Sequence, residues 1–280
     1  MRIHHLNCGT MCPFGRRLVN GDGSVFERGR MVCHVLLVEG KDGLTLIDSG
    51  YGLADVRAPA QRLGRPFLAM TGARLREEDT AIRQVERLGF SAKDVRHIAV
   101  THLDLDHAGG LSDFPDASIH VFRAEHDAAM HPAAGFERQR YRQVQFAHGP
   151  RWVQHDVSGD KVLGFEAVRA IADEVYLIPL QGHTRGHSVV AVKDGERWLL
   201  HCGDAYFHHG EIEEKPHCPA GLRVFQKLVA WNDQLRRSNQ ARLRELVRSN
   251  PRQVVAFSAH DPVELESLRA APGLAERAAS

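Results

Sequence analysis

Short apolar runs and longer amphipathic stretches take turns along the chain. Residues 32–38, 44–48, 95–100, 118–122, 175–179, 198–202 and 254–257 are compact, β-branched and apolar, and they predict strands. The first two flank Glu39-Gly40-Lys41-Asp42-Gly43, which predicts a hairpin with a glycine-rich turn. Residues 77–88 have helical spacing through Ile82, Val85 and Leu88, with Gly89 as the C-terminal stop. Helices are also predicted over 123–130, 222–236 and 240–247, the last ending before Asn250-Pro251. Strands alternating with helices predict an α/β fold. With no linker rich in Pro, Gly or Ser and no short-period repeat, residues 1–280 are read as a single domain.

Polar residues collect where the strands end, which is where α/β folds commonly place their chemistry. After 95–100 comes THLDLDHAGG at 101–110, carrying His102, Asp104, Asp106 and His107, with Gly109-Gly110 letting the backbone pass close to whatever those side chains hold. After 175–179 comes GHTRGHS at 182–188, with His183 and His187; after 198–202 comes Gly203-Asp204; after 254–257 comes His260-Asp261. Imidazole nitrogen and carboxylate oxygen from four strand ends, without a paired-cysteine framework, suit zinc, iron, manganese or cobalt rather than a thiolate-bound structural zinc. The chain has 18 His, and those outside this set are read as surface or core residues.

Five markers in fixed order carry a resemblance: LIDSG at 46–50, THLDLDHAGG, GHTRGHS, GDA at 203–205 and SAHD at 258–261. Together they resemble the metallo-β-lactamase-fold superfamily of hydrolases. That resemblance implies a four-layered αββα sandwich holding two divalent metal ions, zinc foremost, that ionise a shared water. It assigns one ion to His102, Asp104 and His183 and the second to Asp106, His107 and His260, with Asp204 bridging and His187 in support. The His183-to-Asp204 step is similar to that of acyl-homoserine lactonases, and the GHTRGHS region is similar to glyoxalase II thioesterases. The implied activity is hydrolysis of a small ester or lactone, an acyl-homoserine lactone-like substrate being favoured, with thioesters and phosphotriesters as alternatives. Asp106 is implied to pass a proton to the leaving alkoxide and Tyr206 to bind the developing oxyanion. The lactonase spacing falls on Phe207 instead, so which of the two faces the pocket stays open.

Asp104 departs from the pattern, since most hydrolases of this superfamily have His there. Three aspartates and a hydroxide neutralise two divalent cations, whereas a histidine at 104 leaves a net positive charge. The expectation is a weaker Lewis acid with a shift toward manganese, iron or cobalt. A carboxylate here is also similar to the flavodiiron oxygen reductases, a redox alternative ranked below hydrolysis because only a short stretch follows His260. A non-catalytic metal or ligand sensor is the other alternative, with Asp104 as its first sign, although every other ligand position is filled.

Charge and composition narrow the partners. Lys plus Arg number 36 against 35 Asp plus Glu, a net charge of +1, so no global field favours nucleic acid or an acidic membrane. Met1-Arg2-Ile3-His4-His5 lacks a signal peptide's apolar run, no span of about 18 apolar residues occurs, and the five Cys form no paired framework. A cytoplasmic monomer or homodimer acting on a small molecule is expected. Residues 131–160 mix basic side chains with Tyr141, Phe146 and Trp152 and are read as a lid, a dimer face or a solvated helix. Residues 207–231 are read as a wall of the pocket. No Gly-x-Ser-x-Gly elbow, P-loop or dinucleotide fingerprint supports another catalytic scheme.

Overall fold

The computed structural model describes residues 1–133, 135–157, 159–171 and 175–270, and these build two six-stranded sheets. The first sheet follows chain order: β1 (Arg2–Met11), β2 (Met31–Gly40), β3 (Gly43–Ile47), β4 (Val95–Ala99), β5 (Ser118–Phe122) and β6 (Arg151–His155). The second contains β7 (Asp160–Val162), β8 (Phe165–Ile171), β9 (Val175–Pro179), β10 (Ser188–Asp194), β11 (Arg197–His201) and β12 (Val254–Phe257), in the reverse of chain order across the sheet. The expected hairpin forms between β2 and β3, with Gly40 paired to Gly43 and Gly43 at φ 124.

Side-chain alternation explains why two sheets stack. In β2, Val35 and Leu37 enter a core with Val85 and Ala129, from the helices Ala81–Arg87 and Arg123–Met130 on the outer face. Leu36 and Val38 point the other way, into a central core shared with Leu177, Val190 and Val192 of the second sheet. In β10 the parity repeats: Val189 and Ala191 meet Leu243 of the helix Asp233–Ser249, while Val190 and Val192 face inward. A strand buried on both faces is largely apolar, which is why β2 reads as a nearly continuous run, interrupted within its buried part only by His34. Each such Val or Leu contributes roughly 1.5–3 kcal/mol by burial. The layers are therefore helix, sheet, sheet, helix, the expected αββα sandwich.

Several boundaries differ from the sequence expectation. Residues 77–88 split into a 3-10 turn, Glu77–Asp79, and the helix Ala81–Arg87, because the Thr80 hydroxyl bonds back to the Glu77 carbonyl at 2.6 Å. Residues 222–236 are not one helix: Ala220–Val229 ends at an extended Ala230, and Asn232 caps a new helix, Asp233–Ser249, by accepting from the Leu235 N–H at 3.0 Å. The stretch 240–247 is the latter part of that helix. Residues 131–160 were expected as a lid, a dimer face or a solvated helix, and their described residues carry both exposed and buried positions. They supply the short helix Phe136–Arg140, a 3-10 turn at Gln143–Gln145 and the strand β6, with Arg140 and Tyr141 buried. Among the described residues no helix is long and apolar enough to cross a membrane.

Candidate metal centre

The loops leaving the carboxyl ends of β3, β4, β9, β11 and β12 meet at one end of the sandwich. Asp48, at φ 60 directly after β3, sets the orientation of the ligands. Its Oδ1 accepts from the Thr101 N–H at 2.7 Å, and its Oδ2 accepts from the Thr101 hydroxyl and pairs with His107 Nδ1, both at 2.8 Å. Thr101 spends its one hydroxyl proton on Asp48, so its oxygen accepts from His102 Nδ1 at 3.0 Å. His260 Nδ1 lies 2.7 Å from the Val32 carbonyl and is likewise the protonated nitrogen. In His102, His107 and His260 the Nε2 lone pair is consequently left facing the interior. His187 stands behind the cluster: its Nδ1 donates to the Leu180 carbonyl and its Nε2 accepts from the Asp204 N–H, each at 3.0 Å.

These inward atoms converge on one another. Asp204 Oδ1 lies 3.0 Å from His260 Nε2 and 3.2 Å from His107 Nε2, while its Oδ2 lies 3.3 Å from His183 Nε2 and 3.8 Å from His102 Nε2. Asp104 Oδ2 is 3.1 Å from His183 Nε2 and 3.5 Å from His102 Nε2, and Asp106 Oδ2 is 3.5 Å from His260 Nε2. Two lone-pair nitrogens, His107 Nε2 and His260 Nε2, face each other at 3.3 Å. His102 Nε2 and Asp204 Oδ1 are buried with no hydrogen-bond partner. Buried orphaned acceptors clustered with no donor between them repel one another unless cations bridge them, so the donor set fits metal ions. Ligand atoms within 4.8 Å of one another group His102, Asp104, His183 and Asp204 on one side and His107, Asp204 and His260 on the other, with Asp204 in both. Asp106 groups with His260 and Cys33 at the same end, so the seven side chains expected as ligands lie near one another.

The protonation equilibria point the same way. Burial works to neutralise Asp204, but His260, His107 and His183 outweigh it and hold the carboxyl well below its usual range. Burial also works to deprotonate His107, yet Asp204, Asp48 and Asp106 push its imidazole well above its ordinary value. Against burial, His260 is raised as well by Asp204 and Asp106, whereas burial holds His183 down at about 4. Ionised carboxylates drawing positive charge onto two of the imidazoles is the behaviour of a cation site.

Three residues at the centre were not singled out from sequence. Arg140, from the segment expected to be a lid, places its Nε 3.1 Å from Asp104 Oδ1 and donates to the carbonyls of His183 at 3.0 Å and Val229 at 2.7 Å. It returns the positive charge that Asp104 removes, so the neutral centre expected from the ligands alone gains a fixed cation. Glu125, fully buried, accepts from the Leu103 N–H, the Tyr141 hydroxyl, the Thr184 hydroxyl and the Gly186 N–H at 2.6–3.0 Å, tying the two histidine loops together. We expect Glu125→Ala, which strands these donors, to lower stability by about 3 kcal/mol or more in denaturant titration. An unchanged midpoint would contradict the tie. Cys33 sends its Sγ to within 4.8 Å of ligand atoms of Asp106 and His260. A lone cysteine and an arginine in a charged run give no periodic signal, so only the fold reveals them.

Tyr206 does not reach the cluster. It is fully buried in the core of the second sheet and its hydroxyl donates to Glu264 Oε1 at 2.9 Å. Phe207 is the residue on the pocket, stacked on the His260 ring with centroids 5.1 Å apart. Burial, then the charge of Asp261, push the Glu264 carboxyl from 4.5 up to about 8. The folded value lies above the unfolded one, so this stabilisation is complete in acid and is lost as pH rises from 4.5 through about 8. Glu264→Gln should flatten the pH dependence of the unfolding midpoint across that window; an unchanged slope would reject the buried, protonated carboxyl.

A cavity of about 420 Å³ opens onto Asp104, Asp106, His183, Asp204 and His260. Its walls are mainly apolar, with Met11, Phe67, Leu222, Phe225 and Val229 among them, and residues 207–231 form one side as expected.

Comparison with known proteins gives a consistent picture. Residues 28–251 match the sequence profile of the metallo-beta-lactamase superfamily. A protein of Mycobacterium tuberculosis described as a probable metallo-hydrolase is 44% identical over 265 residues, covering 94% of this chain and 81% of that protein. An N-acyl homoserine lactonase of Rhizobium johnstonii is 28% identical over 229 residues, covering 77% of this chain and 81% of the relative. In structure the chain is similar to an N-acyl homoserine lactone hydrolase with N-hexanoyl-L-homoserine bound at its catalytic metal centre, with a TM-score of 0.72 at 21% identity and 97% coverage of both chains.

Proposed function

The chain belongs to the metallo-beta-lactamase superfamily, a family of metal-dependent hydrolases, and from that premise we propose that it opens N-acyl lactones through a pair of divalent ions. One ion would be held by His102, Asp104 and His183, the other by Asp106, His107 and His260, with Asp204 shared. Such ions polarise a carbonyl oxygen and lower the pKa of water. Asp204 and the histidine loops fix where they sit. Arg140 adds a buried positive charge beside Asp104, and this supports anion development at the pocket floor without help from Tyr206. Asp106, on the pocket wall, offers a carboxylate oxygen to carry the proton that the leaving alkoxide needs.

The observation that carries the substrate class is the apolar lining of the cavity directly above the ligand cluster. Such a wall rewards an acyl chain and offers few partners to a strongly polar substrate. With N-acyl homoserine lactones of increasing chain length, kcat/KM is expected to rise roughly fourfold per added methylene until the cavity is full. Equal rates for all chain lengths, or faster turnover of a thioester or phosphotriester in the same series, would reject the lactone assignment.

A further inference from the structure

The rim of the cavity is unusual for the surface of a water-soluble protein. Phe14 is 69% exposed, Met70 50% and Phe136 52%, and on a helix that walls the cavity Val224 is 58% and Leu228 74% exposed. Phe14, Met70 and Phe136 also line the cavity, so the apolar surface continues from the metal end outward into solvent. The helix Ala220–Val229 shows the arrangement most clearly. Leu222, Phe225 and Val229 wall the cavity, whereas Val224 and Leu228 point into solvent beside Arg223 and Lys227.

Charge on the same elements is one-sided. The helices Arg16–Val19, Arg65–Thr71, Phe136–Arg140 and Ala220–Val229 expose Arg17, Arg65, Arg138, Arg223 and Lys227, none with an ion-pair partner among the described residues. Arg16 is paired with Asp22 and Glu27, and the one acid on these helices, Glu137, is paired with Arg185. The whole chain is only +1, so a basic excess is concentrated at the mouth and offset elsewhere.

We propose that this rim docks on an anionic lipid surface, placing the cavity mouth against the bilayer so that an amphiphilic acyl substrate passes into it from lipid. Exposed aromatic and aliphatic side chains interleaved with unpaired cations fit a layer of anionic headgroups over acyl chains. A second copy of the chain fits worse, because a two-fold contact through this face sets its unpaired cations against one another.

The test is flotation of the metal-loaded full chain with vesicles of phosphatidylcholine alone or mixed with phosphatidylglycerol. Binding to the anionic vesicles at least about tenfold above the neutral ones, and lost in high salt, is expected. The double variant Val224→Asp/Leu228→Asp, altered at exposed positions outside the cavity, should lose about tenfold or more of that binding while keeping wild-type hydrolysis of a short soluble lactone. No flotation with either vesicle, or flotation unchanged in the variant, overturns the proposal. So does a concentration-dependent dimer that the variant dissolves and that excludes vesicles, since the rim would then belong to a second copy. Flotation requires no turnover, so its failure leaves the hydrolase reading standing, and failure of lactone hydrolysis leaves the docking result intact.

Discussion

On the proposed two-ion reading, Asp204→Asn is expected to leave one bound ion or none and to lower lactone or ester turnover by at least about three orders of magnitude. The residue is singled out by geometry: one oxygen lies 3.0 Å and 3.2 Å from His260 and His107, and the other 3.3 Å from His183, so a single carboxylate serves both groups of ligands. Asparagine keeps the size but offers one acceptor and no charge, which leaves one group short of a ligand and both short of a counter-anion. The measurements are metal content of the purified chain and kcat/KM on the same preparation. A variant that keeps two ions and near wild-type turnover would remove Asp204 from the shared position.

The second large effect concerns Arg140. Arg140→Met strips the buried Asp104 carboxylate of its cation and leaves the carbonyls of His183 and Val229 without their donors. Breaking a buried pair from one side costs about 3–5 kcal/mol, which for a chain of this size corresponds to a fall of roughly 10 °C in Tm. Asp104→His in the Arg140→Met background removes the stranded charge and restores the ligand type usual in the family, so the double variant should regain much of the lost stability and prefer zinc. If Arg140→Met melts like the parent protein, or if the second change brings no recovery, the two residues are not coupled and the charge compensation is wrong.

The pairing also changes how Asp104 is understood. From sequence it looked like a change that neutralises the centre. In the folded protein its Oδ1 faces Arg140 while its Oδ2 faces His102 and His183, so the substitution brings its own counter-charge. The partner lies in a stretch read as a lid, a dimer face or a solvated helix, and the charged and polar residues Glu137 to Gln139 before Arg140 show no apolar periodicity that would mark a buried face. Burial of Arg140 is decided by the carbonyls of His183 and Val229, two residues far away in the chain.

Much of the scaffold was legible in advance for a related reason. Strands such as β2, β4 and β11 are covered on both faces, so apolar composition alone marks them, and the candidate ligands follow β4, β9, β11 and β12, whereas β10 was not among the predicted strands. Less legible were β1, whose exposed and half-buried polar positions hide the strand, and the break at Ala230, which depends on the Asn232 cap. Tyr206 shows the limit of spacing as a guide. Along the chain it follows Asp204 as closely as a catalytic phenol could, but the turn directs it into the core toward Glu264 and gives the pocket face to Phe207.

Residue type and neighbours within a few positions marked most of the strands and the His and Asp candidates at their ends, while the αββα layering and the ligand assignment were what the resemblance carried by those markers implied. The tertiary structure decided the tautomers imposed by Asp48 and Thr101, the counter-charge from Arg140, the tie through Glu125 and the gathering of unpaired cations around an apolar mouth. The first three depend on groups meeting at about 3 Å, most of them distant in sequence, where electrostatics and hydrogen bonding act, and the last on which exposed elements the fold sets side by side. A net charge of +1 is a sum over the whole chain, and only the fold determines where its parts are placed.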